Sequence, residues 1–362
     1  MTADAVVAGA GIVGAACAAE LAREGLSVIV VDPREPGSGS TAAGMGHIVV
    51  MDDSEAEFAL SNYSRKLWEQ TDLPAQAERD DCGTLWIAAD DEEMQAVHRK
   101  FDYYRRHGVE TEVLDSRDLA LLEPNLRRGL AGALRVPSDI VIYAPCATAH
   151  LLESSQARVL SGVGVTGFEN GGVALSDGSR ISAGATICAC GVESAGLLPG
   201  LPVKPRKGQL AITDRYPGFL RHQLVELGYL KSAHGSDTES VAFNVQPRKT
   251  GQVLVGSSRR YGDHDPAIDL ALLRRMLTRA VEYMPKLELL HVIRTWSGFR
   301  PATPDGLPLI GFDPRWPGVC LATGHEGLGI TTAPGTARLV ADAIMKRTPA
   351  IDPAPYSPCR FP

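Results

Sequence analysis

"AVVAGAGIVGAACAAELAREGLSVIVVD", residues 5–32, decides the fold. A short apolar run meets three glycines, Gly9, Gly11 and Gly14, in the spacing G-x-G-x-x-G, and a periodic apolar stretch then runs to Gly25. That order reads as strand, tight turn and helix, and "LSVIVVD" adds a second strand ending on Asp32. Each glycine has its own duty. The first permits the turn, the second lets the backbone approach a pyrophosphate, and the third lets helix and strand pack closely. The free N–H groups of the helix start then face the anion. Asp32 stands 18 residues past Gly14, where a carboxylate can accept from a ribose hydroxyl. A bare G-x-G-x-x-G is weak evidence, but here both strands, the helix and the terminal acid agree on a dinucleotide.

The next stretch chooses between dinucleotides. An NAD domain normally continues with further strand–helix units, whereas this chain leaves into "GSGSTAAGMGHIVV", residues 37–50. Ser40 and Thr41 carry hydroxyls suited to phosphate or ribose, and Gly44 and Gly46 let backbone pass close to a flat ring. FAD is the expected cofactor.

Composition narrows the class. With 362 residues, 44% hydrophobic and 22% charged, the chain is long enough for two domains of ordinary globular character. A net charge of −7 argues against a nucleic-acid binder. No run approaches the length of a membrane span, and the apolar start lacks the basic leader of a signal peptide. Seven cysteines without a CxxC read as reduced thiols of a cytoplasmic protein, and an iron–sulfur cluster held by this chain alone is not expected. Cys188 and Cys190 share one side of a predicted strand, as core packing.

Further along, residues 54–71 and 91–108 have helical spacing, with a strand at 82–90 between them. Residues 158–191 alternate short strands with glycine turns, and residues 241–260 form a hairpin around "PRKTG". An amphipathic helix follows at 269–285, then two strands in 307–324. "GHEGLGITTAPG", residues 324–335, is a second glycine-rich loop opening a final helix, and the proline-rich end is expected to run extended over the surface.

Together, residues 6–32, the "GSGSTAAGMGH" loop, "PRKGQL" (205–210) and "WSGFRPATPDGLPLIG" (296–311) followed by "GHEGLGITTAPG" resemble the D-amino-acid oxidase family of FAD enzymes. The resemblance covers nearly the whole chain. It implies an α/β (α+β) fold, with a Rossmann-like FAD-binding domain of the glutathione-reductase type built from residues 1–80, 146–205 and 296–348. A substrate domain with a mainly antiparallel sheet and helices would take residues 81–145 and 206–295, and residues 349–362 an extended tail. The late loop is similar to the segment that faces the flavin's pyrimidine edge, which places Gly327, Leu328, Gly329 and Ile330 there. Met45, Val163 and Gly191 complete the cofactor set. Arg300 matches the arginine that grips a substrate carboxylate, a duty suited to a permanently charged fork. Cys320 lies before the late loop in an apolar strand, which implies non-covalent FAD.

The resemblance is nearest to the catalytic β subunit of D-hydroxyproline dehydrogenase. It implies hydride transfer from the α carbon of an imino or amino acid to flavin N5, with electrons leaving through companion subunits. An FMN or iron–sulfur centre would then sit at a subunit interface. A self-sufficient glycine, sarcosine or D-amino-acid oxidase, an opine oxidase subunit and a non-catalytic flavin scaffold are the alternatives; Arg300 beside an intact flavin loop argues against the last. His47 either orients the substrate and helps keep its amine neutral, or is a hydrogen-bonded structural histidine. Of His325 and Glu326, beside the flavin edge, His325 is the better candidate contact. Lys207 faces the flavin or a second cofactor, or is solvated. Tyr229 and Tyr261 line the substrate cavity or are simply buried. Arg206, Lys207 and the tail with Cys359 are candidate partner contacts.

Overall fold

In the strand Thr2–Ala8 the last four residues, Ala5, Val6, Val7 and Ala8, are all buried, as a parallel strand covered on both sides requires. It is central in its sheet. The computed structural model, which describes residues 1–228 and 239–361, places it between Val28–Asp32 and Arg180–Cys188, parallel to both. Arg158–Ser161 extends one side, and Val319–Thr323 and antiparallel Leu309–Phe312 extend the other. Helices Ala144–Ser155, Ile12–Arg23, Gly329–Met345 and Glu55–Glu69 pack side by side in that order. An antiparallel hairpin, Val165–Glu169 and Gly172–Leu175, joins the sheet through Arg180–Cys188 and closes over an apolar cluster of Val6, Ile29, Val31, Val173 and Ile181.

These elements form one compact unit, Met1–Ala77, Tyr143–Pro205 and Phe299–Pro362. A second unit comprises Glu78–Ile142 and Arg206–Gly298. Its sheet is mainly antiparallel, running in the order Val292–Ala302, Lys204–Arg215, Gln252–Tyr261, Glu239–Pro247, Gln223–Glu226, Thr84–Ala88, Gly132–Val136 and Glu112–Asp115. The helix Leu270–Tyr283 packs against it, and Phe243 stacks on Tyr283 at 4.5 Å. The mixed α/β class is as expected. Residues 78–80 and 296–298 go with the second unit, and residues 143–145 and 349–362 with the first.

The end of the chain differs from expectation. Residues Ala354–Tyr356 and Pro358–Arg360 form short 3₁₀ turns within the first unit, and Tyr356 is buried, its hydroxyl donating to the Ala56 carbonyl at 2.6 Å. Arg360 reaches both Asp305 carboxylate oxygens, at 2.7 and 3.0 Å. Proline richness gave the turns; one aromatic and one arginine anchor them.

Candidate active site

Ala8, Asp32, Ser161, Cys188 and Thr323 all end parallel strands, so the loops carrying Gly9, Val163, Gly191 and Gly324 open at one edge of the sheet. Ligands of open α/β sheets bind at this edge, where strand order reverses. Gly9 has φ +102°, and a Cβ there would lie 2.8 Å from the Ala189 carbonyl carbon. A Cβ at Gly14 would fall on the Gly9 carbonyl oxygen. Asp32 accepts from the Ala10 N–H at 2.8 Å through one oxygen and from the Arg34 N–H at 2.9 Å through the other. Two backbone donors fix the carboxylate, and lone pairs remain on both oxygens.

Residues 37–50 link the two glycine loops. The Thr41 hydroxyl accepts from the Ile12 N–H at 3.0 Å, a cap that Gly11 cannot supply, and keeps its own proton to donate. The helix's first internal bond runs from the Ala15 N–H to the Gly11 carbonyl at 2.8 Å, so Val13 and Gly14 lie in its first turn, before that bond. At the other end of the link, a Cβ on Gly44 would touch Ile330 at 3.0 Å. The Thr331 hydroxyl donates to the His47 carbonyl at 3.1 Å and accepts from the Val49 N–H at 3.3 Å. A Cβ on Gly329 would lie 3.9 Å from Val13. Two helix starts from opposite ends of the sequence are therefore neighbours.

The last helix is built around a missing donor. Pro334 lies inside it and has no N–H for the Ile330 carbonyl; the buried Trp68 indole donates there instead, at 3.0 Å, and to the Thr331 carbonyl at 3.1 Å. Gly335 lets the helix Glu55–Glu69 come close, for a Cβ would lie 3.0 Å from Leu60 and against the Ser64 hydroxyl.

Arg300, His47 and the late loop converge. A Cβ at Gly327 would stand 3.8 Å from both Cδ and Nε of Arg300. The Glu326 N–H donates to the Pro301 carbonyl at 2.9 Å, and Glu326 takes a left-handed φ of +47°. Its carboxylate accepts from the Gly327 N–H at 2.5 Å. Burial and the Arg300 charge push His47 down to about 4, and its Nδ1 is buried with no hydrogen-bond partner among the described residues. Burial alone takes His325 down to about 3. Both imidazoles are neutral at ordinary pH.

A model of the FAD dependent oxidoreductase (DAO) family matches residues 4–343. The chain belongs to this family. It is 28% identical to a glycine oxidase of Geobacillus kaustophilus over 98% of this chain and 96% of that protein. It is 27% identical to the hydrogen cyanide synthase subunit HcnC of Pseudomonas aeruginosa, over 99% of this chain and 96% of the other. The crystal structure of L-proline dehydrogenase from P. horikoshii superposes with a TM-score of 0.89 at 26% identity, covering 99% of this chain and 98% of that one. The protein is an FAD-dependent oxidoreductase.

The residues present fit this cofactor. Two helix starts side by side offer N–H groups to anionic centres, three close-packed glycines keep the backbone bare, and the orphaned His47 Nδ1 awaits a hydrogen-bonding group. Gly9, Gly11, Gly14, Asp32, Thr41, Gly44, Gly191 and Val163 lie along this edge or on the linking loop. Val163 packs its side chain into the apolar cluster, which leaves its backbone to the site. Met45 is buried, and the Gly191 carbonyl accepts from the Thr323 hydroxyl at 3.0 Å. Ser40 donates to the Phe299 carbonyl at 2.7 Å and so ties the loop to the residue before Arg300.

Several expectations are corrected. His325 is buried, and its Nε2 bonds the Thr336 hydroxyl at 2.9 Å within the last helix's core. The residue after it, Glu326, takes the left-handed φ and is half-buried. The Gly327 N–H already has an acceptor in Glu326. Lys207 is not solvated, because its buried ammonium pairs with Asp263 at 3.0 Å. Arg206 is buried with its guanidinium 4.7 Å above the ring of Tyr261, which is itself 41% exposed. Tyr229 lies outside the described residues. Cys320 is fully buried, and all seven cysteines are free thiols. Among the described residues, no helix is long and apolar enough to cross a membrane, and no acidic, histidine or cysteine group could hold a metal. Trp68 was missed, although a proline inside a helical pattern signals that some donor must serve the freed carbonyl.

Proposed function

We propose that this chain oxidises an amino or imino acid at its Cα–N bond, with Arg300 holding the substrate carboxylate. The observation that carries this reading is Arg300 packed on Gly327 at the start of the last helix, beside His47. The first turn at Gly11–Gly14, with Thr41, would hold the pyrophosphate of FAD, and Asp32 its ribose. Gly44, Met45 and residues 327–330 would lie along the ring, which makes the first unit the FAD-binding domain and the second the substrate domain. Bound FAD supplies a two-electron acceptor for the Cα–H bond. Arg300 fixes the carboxylate by two parallel hydrogen bonds and so sets which face of the α carbon is presented. His47 stays neutral, and so adds no cation beside the substrate amine.

Among substrates we favour a cyclic imino acid, cis-4-hydroxy-D-proline or D-proline, with this chain as the catalytic subunit of a hetero-oligomer. Companion electron-transfer subunits, with an FMN or iron–sulfur centre at the interface, would then take the electrons. The similarity to a protein named as a hydrogen cyanide synthase subunit supports a subunit plan, and the likeness to L-proline dehydrogenase supports a ring substrate. The 28% identity to glycine oxidase favours a second reading, an oxygen-using oxidase of glycine or sarcosine.

Anaerobic loss of the flavin absorbance on adding each of hydroxyproline, D-proline, sarcosine, glycine and octopine tests these readings. Bleaching by the cyclic imino acids with slow recovery in air is expected. Rapid recovery with peroxide would establish the oxidase, and no bleaching by any of them would remove the substrate class.

A further inference from the structure

Glu326 is the acidic neighbour of Arg300. Gly327 lies between them: its N–H holds the Glu326 carboxylate at 2.5 Å, and its α carbon backs onto the Arg300 stem, a Cβ there standing 3.8 Å from Nε. The loop keeps this arrangement at a cost, because Glu326 has φ +47°, a left-handed conformation that residues other than glycine or asparagine rarely adopt. The same turn buries His325 against Thr336, so the pair His325–Glu326 is sorted into one inward and one outward side chain. His47 supplies no anion to this site, neutral or protonated.

Taking Arg300 as the carboxylate anchor, as above, we propose that Glu326 recognises the substrate's amine nitrogen. An α-amino or α-imino acid carries its cationic nitrogen two bonds from the carboxylate carbon. A site that pins the carboxylate with a guanidinium therefore needs an anion one side chain away to match the whole zwitterion. The same carboxylate favours the reaction: once the bound ammonium has lost a proton to solvent, the freed nitrogen lone pair becomes part of a C=N bond as the Cα–H electron pair leaves for the FAD, and the positive charge that builds at nitrogen faces an anion. Glu326 thus selects amino acids over hydroxy acids and other amine-free carboxylates.

The test is calorimetric titration of the holoenzyme with its flavin chemically reduced beforehand, so that bound ligand is not turned over. The probes are D-proline and tetrahydrofuran-2-carboxylate, which has ring oxygen in place of N–H. E326Q keeps an acceptor for the Gly327 N–H. It is expected to weaken D-proline about tenfold or more, the scale of one charge-assisted hydrogen bond, and to leave the oxygen analogue within about twofold. E326G, which suits the left-handed backbone, is expected to do the same. Equal weakening of both ligands, or of neither, would overturn the role of Glu326. R300K weakens both ligands if the carboxylate anchor is right. If R300K weakens neither, the reading of the site fails, and this inference with it.

Discussion

The Trp68 indole N–H donates to the Ile330 carbonyl at 3.0 Å and takes the place of the N–H that Pro334 lacks. One side chain from a distant helix therefore completes the first turns of the helix that opens the active site. Trp68→Phe keeps most of the apolar contact but leaves that buried carbonyl unsatisfied, a loss of about 1–3 kcal/mol. Thermal unfolding of the holoenzyme should show the drop. In a Pro334→Ala background, where the helix supplies its own donor, the loss should shrink, which a double-mutant cycle measures.

Gly14→Ala tests the packing of the first turn. The added methyl would fall on the Gly9 carbonyl oxygen, backbone that cannot yield without opening the strand–helix junction. The variant should purify with little flavin, read as the ratio of absorbance near 450 nm to that of the protein. Gly25→Ala, a turn glycine with nothing nearby, should retain its flavin.

Arg300→Lys keeps the charge and loses the fork. Loss of one of two parallel hydrogen bonds to a carboxylate is worth about 1.5–3 kcal/mol, or roughly tenfold to 150-fold. That loss should fall on kcat/KM through KM, with flavin content unchanged. A normal KM would remove Arg300 from the substrate.

His325 sets a pH dependence of stability. In the native protein it stays neutral down to about pH 3, whereas the unfolded chain takes up the proton near 6.5. Between those values the unfolded state binds more protons, so stability falls as pH drops below about 6.5, by up to 1.4 kcal/mol per unit. His325→Gln can still bond Thr336 and should flatten part of that slope in unfolding temperatures measured from about pH 4.5 to 6.5. An unchanged slope would place the titration elsewhere.

Much of this was legible in residues 5–50, where glycine spacing, a terminal acid and paired hydroxyls each constrain the backbone locally. The Thr41 hydroxyl is suited by type to phosphate or ribose, and the structure shows it capping the first helix. What sequence could not give was direction and partnership. Whether His325 or Glu326 faces outward depends on one left-handed φ between two adjacent polar residues. Lys207 finds Asp263, 56 residues further along the chain, which no local pattern encodes. The tail looked extended because prolines exclude helix, yet Tyr356 and Arg360 fasten it to surfaces that only the folded unit creates.

The central sheet also dictates an order of assembly during synthesis. Its middle strand, Thr2–Ala8, is made long before Val319–Thr323 and the helix Gly329–Met345, which lie at the far end of the sequence from it. A nascent chain can complete both segments of the second unit before the first unit has its last strands or its last helix. Cofactor capture therefore waits for those late segments, and polypeptides cut short near residue 300 would leave the ribosome with half a cradle and no means to load it.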